Sequence, residues 1–456
     1  MDLFSPDDPR PVHFMGIGGA GMSALALVAR KRGVPVSGCD PDPTGAADVV
    51  ALGADVRRGH HPDHVAGARA VIVTAAVPPE HPELARARAL GVPVVPRKHA
   101  LAKLVAGGTV VGISGTHGKS TTTVMTTEAL AAAGLAPTGI AGGRVNEWGG
   151  NARMGGDRLF VVEADEYDQA FLALSPTVAV VTNVEADHLE CYGGLAQLEG
   201  AFVEFAGRAE RVLAGADDAG ARRIADQLGG RVWRFGASGA DLRLGNIRQS
   251  ADGSEASLAL PDGRTVILRL VVPGLHNLLN ATAAIGVVLA LGGELEPALE
   301  ALSRYRGLGR RFERLGEVRG IAFVDDYAHH PSELVATLAA ARQAFPGRRL
   351  IAVFQPHLYS RTAQHADAMG IALAAADLAI VTEIYGAREQ PLPGVSGARV
   401  AEAARLAGAS VVFEADRDGV RDRILERARS GDVVLTLGAG DITHVGRELV
   451  AWLQAA

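Results

Sequence analysis

The stretch Thr109-Val110-Val111-Gly112-Ile113-Ser114-Gly115-Thr116-His117-Gly118-Lys119-Ser120-Thr121-Thr122-Thr123 decides the fold. An apolar strand pattern over 109–113 runs into glycines, and then into residues that open a helix. Its Gly118-Lys119-Ser120 end is that of a phosphate-binding loop. Backbone N–H groups cradle the phosphates, Lys119 meets the β/γ oxygens and the Ser120 hydroxyl takes Mg²⁺. Strict G-x-x-x-x-G-K spacing needs glycine at 113; Ile113 stands there and Gly112 sits one residue early, which marks a variant of the loop. A solvated loop lysine carries no core packing, so Lys119→Ala is expected to abolish the reaction and leave the fold intact.

Outward from this stretch, strands alternate with helices in both directions, the pattern of βαβ units and parallel sheets. Towards the N-terminus, strands are expected at 12–15, 34–39, 70–73 and 92–95. Towards the C-terminus come 159–162 and 177–181, apolar throughout as buried parallel strands are. From 231 to 272 the texture changes to short alternating runs broken by Asp252-Gly253 and Asp262-Gly263, which predicts an antiparallel patch. A helix over 275–291 follows, then a third α/β cycle with strands at 322–324, 350–354, 378–382 and 433–437. The expectation is three domains: 1–106, 107–313 and 314–456. The first and last are Rossmann-like, and the central one is a P-loop ATPase with an antiparallel patch.

Composition bounds the function. The 456 residues are 48% hydrophobic and 21% charged, with a formal net charge of −6. That is a globular mix, and the negative balance argues against a protein built to coat nucleic acid. Only Cys39 and Cys191 are present, too few and too scattered for a disulfide framework or a zinc site, so a cytoplasmic setting is expected. The acidic, proline-broken N-terminus does not read as a signal peptide, and no apolar run reaches the roughly 20 residues needed to span a bilayer.

Further motifs fall at strand ends. Gly16-Ile17-Gly18-Gly19-Ala20-Gly21 is a G-x-G-x-x-G turn, with Asp40 at the end of the second strand where a ribose or sugar hydroxyl is usually bound. Glu163-Ala164-Asp165-Glu166 ends one apolar strand, and Glu163 is a candidate Mg²⁺ ligand. Asp187-His188 follows the next, and His276-Asn277-Leu278-Leu279-Asn280 starts the long helix. The last third supplies Asp325-Asp326-Tyr327-Ala328-His329-His330-Pro331 and Phe354-Gln355-Pro356-His357-Leu358-Tyr359-Ser360-Arg361. His60, His61, His64 and His81 lie in Pro-rich, surface-like segments, where no function is expected.

Together with His13-Phe14-Met15 before the first glycine loop, Met22 after it, and Arg310-Arg311-Phe312, these motifs resemble the Mur ligases of peptidoglycan synthesis over nearly the whole chain. The resemblance implies a UDP-sugar site at Gly16, Ile17, Gly18, Gly19, Ala20, Gly21, Met22 and Asp40. It implies ATP at Gly115, Thr116, His117, Gly118, Lys119, Ser120 and Thr121, with Asn280, Arg311 and Asp326 on the adenosine. Mg²⁺ falls to Ser120, Glu163 and His188, and the incoming amino acid to Tyr327, His329, His357 and Arg361. Lys119, Glu163, His188 and His329 are the implied catalytic groups, His329 as base for the amine. Departures are Ser120 for a common threonine, Tyr167 for a serine and Leu358 for an arginine, the last placing more of the carboxylate contact on Arg361. No lysine follows Lys119, so the carbamylated lysine of several sister ligases is absent, as in the branch that adds L-alanine. The implied partners are UDP-N-acetylmuramate, L-alanine and ATP, with no nucleic acid and no membrane. The alternatives are a ligase that recycles an intact tripeptide and a nicotinamide-dependent dehydrogenase; the latter has no role for Lys119 with Ser120.

Overall fold

The computed structural model describes residues 2–387 and 389–455. Three sheets organise the chain. The first holds β1 (Val12–Met15), β2 (Val36–Asp40), β3 (Asp55–Arg58), β4 (Ala70–Val73) and β5 (Val94–Pro96), in the order β3-β2-β1-β4-β5. All its pairings are parallel. Chain order reverses at β1, so the loop after β1 lies at the switch point where such sheets bind ligands.

The second sheet contains β6 (Thr109–Ser114), β7 (Thr138–Val145), β8 (Gly150–Arg153), β9 (Leu159–Glu163), β10 (Val178–Val181), β11 (Arg211–Gly215), β12 (Val232–Gly236), β13 (Leu242–Ser250), β14 (Gly253–Ala259) and β15 (Thr265–Leu270). Their order is β15-β14-β13-β12-β11-β10-β6-β9-β7-β8. β6 sits between β9 and β10, parallel to both. Its Val110, Val111 and Ile113 are at most 3% exposed, and burial of each stabilises by about 1.5–3 kcal/mol. β13, β14 and β15 are sequential neighbours joined by short turns, which only antiparallel strands permit. Gly112 proves to be a strand residue and not part of the phosphate loop. A Cβ there would lie 2.7 Å from the Phe205 ring, so packing against that ring requires glycine.

The third sheet holds β16 (Glu313–Val318), β17 (Ile321–Asp326), β18 (Leu350–Phe354), β19 (Leu378–Val381), β20 (Val411–Phe413) and β21 (Val433–Leu437), ordered β16-β17-β21-β18-β19-β20. It is parallel except for β16, which pairs antiparallel with β17. The chain divides into two compact units, one of residues 1–246, 256–268 and 279–304, the other of residues 247–255, 269–278 and 305–456. In the first unit a large buried cluster runs from Leu3 to Ile224 through the helices flanking the first two sheets, and a smaller one around Met15, Cys39 and Leu84 lies on the first sheet. In the second, two clusters cover the two faces of the third sheet. Among the described residues no helix is long and apolar enough to cross a membrane.

Candidate active site

The phosphate loop lies where its strand pattern placed it, between β6 and the helix Lys119–Ala132. The segment just after β10 ties it down. His117 N–H donates to Asn183 Oδ1 at 2.8 Å, and Thr116 N–H to the Asn183 carbonyl at 3.0 Å. The Thr182 hydroxyl donates to the His117 carbonyl at 2.7 Å. Gly118 caps the helix at φ 80°, the left-handed region, and a Cβ there would lie 2.8 Å from Asn280 Oδ1. Asn280, expected on the adenosine, thus packs against the phosphate loop.

Lys119 is not the solvated residue that the sequence suggests. Its side chain is 13% exposed, and its ammonium donates to both Glu166 oxygens at 2.7 and 2.9 Å and to the Gly115 carbonyl at 2.7 Å. Glu166 is itself only 3% exposed. Burial alone would lower the Lys119 ammonium, but the carboxylates of Glu166, Asp165 and Glu163 outweigh it and hold the group above its ordinary range. The premise on which Lys119→Ala was expected to spare the fold, a solvated lysine, is not met, because removal strands a buried carboxylate.

Ser120 and Glu163 meet as expected, the hydroxyl donating to Glu163 Oε1 at 3.1 Å while Oε2 takes the Gly142 N–H at 2.6 Å. Hydroxyl and carboxylate oxygens are hard donors that suit Mg²⁺. His188, the third expected metal neighbour, has φ 55° and lies against Asp187, Glu190 and the Tyr167 ring. Thr121 is buried in the first turn of the helix.

At the first glycine loop, Gly16 takes φ 77° and Gly19 caps the helix Ala20–Lys31. Asp40 spans the turn, accepting from Gly18 N–H and Asp42 N–H at 2.9 Å each, so it shapes the loop that was expected to bind the sugar. Ile17 and Met22 are buried beneath it, while Ala20 and Gly21 begin the helix. Arg97, which the sequence reading passed over, brings Nη1 to 2.9 Å of where a Gly21 Cβ would stand.

The second unit gathers its own cluster. Asp326, buried, accepts from Phe312 N–H at 2.6 Å and Ala328 N–H at 2.8 Å, and burial pushes its carboxyl up to about 6. Arg310 and Arg311 both lie over the Tyr327 ring, 4.8 and 4.9 Å from its centroid. His329 Nδ1 donates to the Tyr327 carbonyl at 2.9 Å, which assigns a proton to Nδ1. The His329 and His357 rings are 5.8 Å apart, and Arg361, 7% exposed, places Nη1 3.4 Å from His357 Nδ1. Tyr385, not found from sequence, stacks on His357 with centroids 5.9 Å apart. The four residues expected around the amino acid therefore do converge.

Models of the Mur ligase family match three segments in order: the catalytic domain over residues 11–109, the middle domain over 113–288 and the glutamate ligase domain over 310–440. A UDP-N-acetylmuramate–L-alanine ligase from Acidothermus cellulolyticus is 47% identical over 94% of this chain and 91% of its own length. One from Mycolicibacterium vanbaalenii is 44% identical over 99% of this chain and 98% of its own. The crystal structure of a UDP-N-acetylmuramate–alanine ligase from Thermotoga maritima superposes with a TM-score of 0.85 at 31% identity, covering 98% of this chain and 99% of that one. On matched motifs, whole-length similarity and shared fold, the chain belongs to the Mur ligase family.

Proposed function

We propose that this protein joins L-alanine to the carboxylate of UDP-N-acetylmuramate in peptidoglycan precursor synthesis, converting ATP to ADP and phosphate in the cytoplasm. The observation that carries the reading is the Gly118-Lys119-Ser120 loop with Glu163 and Glu166 against it. The names of the relatives over nearly full length support the substrate pair. We assign the UDP-sugar to residues 1–106, ATP to 107–313 and the amino acid to 314–456.

A carboxylate is a poor acyl donor because its leaving group would be oxide. Phosphorylation by ATP gives an acyl phosphate; the amine then attacks the carbonyl and phosphate departs. Lys119 and the loop N–H groups stabilise charge on the transferring phosphoryl group. Mg²⁺ held by Ser120 and Glu163 would neutralise phosphate charge. Arg361 and His357 suit the carboxylate of the incoming amino acid, since an arginine fork pairs well with that group. His329 Nε2 would take the proton the amine must lose. Phosphate release from ATP, measured with each combination of UDP-sugar and amine, tests the reading. Turnover with UDP-N-acetylmuramate and L-alanine is expected. Faster turnover with a tripeptide, or none with any UDP-muramic acid, would replace it.

A further inference from the structure

Four side chains that the sequence scatters between residues 13 and 83 meet behind the first glycine loop. At their centre is Glu83, in the first turn of the helix Pro82–Ala89 and fully buried. Cys39 Sγ lies 3.3 and 3.4 Å from its two oxygens, 3.5 Å from His13 Nε2 and 3.3 Å from His60 Nδ1. His60 Nδ1 is 3.1 Å from Glu83 Oε2, and His13 Nε2 is within 4.8 Å of the same carboxylate. The geometry points to a site for a zinc-class divalent cation centred on Cys39 Sγ and Glu83, with His13 and His60 on either side of them as the nitrogen ligands.

Three features favour an ion over hydrogen bonding alone. Bond lengths of about 2.0–2.1 Å to nitrogen, 2.0–2.2 Å to oxygen and 2.3 Å to sulfur place tetrahedral ligands about 3.3–3.6 Å apart. The separations of Cys39 Sγ from His13, His60 and Glu83, and of His60 from Glu83, are 3.1–3.5 Å and nearly coincide with that range, while His13 lies within the wider 4.8 Å of Glu83. Next, the outer partners of a metal site are present. His13 Nδ1 is held by Ser37 Oγ at 3.0 Å, while Glu83 Oε1 takes the His61 N–H at 2.9 Å and faces His64 Nδ1 at 3.1 Å. Such partners orient ligating imidazoles and carboxylates. Finally, among the described residues the ion-pair partners of the Glu83 carboxylate are histidines alone. An ionised carboxylate removed from water needs a positive charge, which a divalent cation would supply. His60, with 26% of its side chain exposed, leaves an entry path.

The ion would tie β1 and β2 to the segment after β3 and to the helix Pro82–Ala89. Cys39 immediately precedes Asp40, which holds Gly18 N–H, so the site braces the glycine loop from behind and takes no part in catalysis. The sequence reading gave the cysteines and His60 no function because linear spacing hides a site assembled from four separate segments.

The test uses full-length protein stripped with chelator and supplied with excess Mg²⁺ and nucleotide to fill the ATP site. Titration with Co²⁺ is expected to give a thiolate-to-cobalt charge-transfer band at one equivalent, displaced by one equivalent of Zn²⁺. Cys39→Ser should abolish the band, and Cys191→Ser should leave it intact. His60→Ala, at a partly exposed position where folding is little affected, should weaken Zn²⁺ binding at least tenfold. Absence of the band in the wild type, its persistence in Cys39→Ser, or Zn²⁺ affinity unchanged by His60→Ala would overturn the site in favour of a metal-free network around a protonated histidine.

Discussion

Replacing Lys119 with alanine separates the role of its charge in catalysis from its role in folding. The ammonium, 13% exposed, faces a Glu166 carboxylate that is 3% exposed, at 2.7 and 2.9 Å. Removing one partner of a buried pair leaves an uncompensated charge, at a cost of about 3–5 kcal/mol. Asp165, 4.0 Å from the same amine, adds a further unbalanced negative charge. Set against total stabilities of about 5–15 kcal/mol, this is a large fraction. Lys119→Ala should therefore unfold at a clearly lower urea concentration than the wild type. The double variant Lys119→Ala/Glu166→Gln should recover at least half of the loss, because the stranded charge is gone. Both should lose about 10²–10³ in rate or more, the effect of removing one strong donor from a transition state. The sign with pH is also determined. An ammonium held above its unfolded value of about 10.4 stabilises fully below that pH and loses its contribution only in stronger alkali. In the single variant the stranded Glu166 carboxyl, which burial already pushes up and which has lost the Lys119 charge that held it down, should make the deficit grow as pH rises above the usual carboxylate range. A Lys119→Ala protein within about 0.5 kcal/mol of wild type, the range of ordinary surface substitutions, would refute the reasoning.

Two further outcomes follow from the geometry. Gly118→Ala, at φ 80° with its Cβ directed 2.8 Å from Asn280 Oδ1, should cost about 1–2 kcal/mol in denaturant unfolding and weaken nucleotide binding by calorimetry; unchanged values would contradict the cradle. His276, half-buried in the second unit, is held down at about 4 by removal from water and by the nearby Arg311 charge. It therefore subtracts stability as pH falls from about 6.5 towards 4, while Asp326, raised to about 6, acts in the opposite sense. His276→Gln should make the acid limb of the stability curve shallower, and an identical limb would sink the assignment.

Sequence patterning exposed what local chemistry controls. β1, β4, β18 and β21 lie at their predicted residues because continuous apolar runs bounded by glycine or polar clusters have few other fates. β3 and β20 escaped notice because the first is an exposed polar edge and the second a half-buried run of three. The phosphate loop and the Ser120–Glu163 pair were legible since both ends carry their own signal. The Glu166 contact to Lys119 was not, because only the register of β6 against β9 brings residues 47 apart together. Tyr385 was hidden likewise. It reaches His357 through an isolated bridge between two loops. Gly112 lies in the strand expected over 109–113, and the need for glycine there, packing against the Phe205 ring, is visible only in the structure.

The central claim, carboxylate activation by phosphorylation at the Lys119 loop, has one direct measurement. UDP-N-acetylmuramate carrying heavy oxygen in its carboxylate is ligated to L-alanine, and the released phosphate is analysed by mass spectrometry. The oxygen that attacks phosphorus leaves with it when the amine displaces phosphate, so one labelled atom should appear in each phosphate formed. Label in AMP, or unlabelled phosphate at full product formation, would contradict the account.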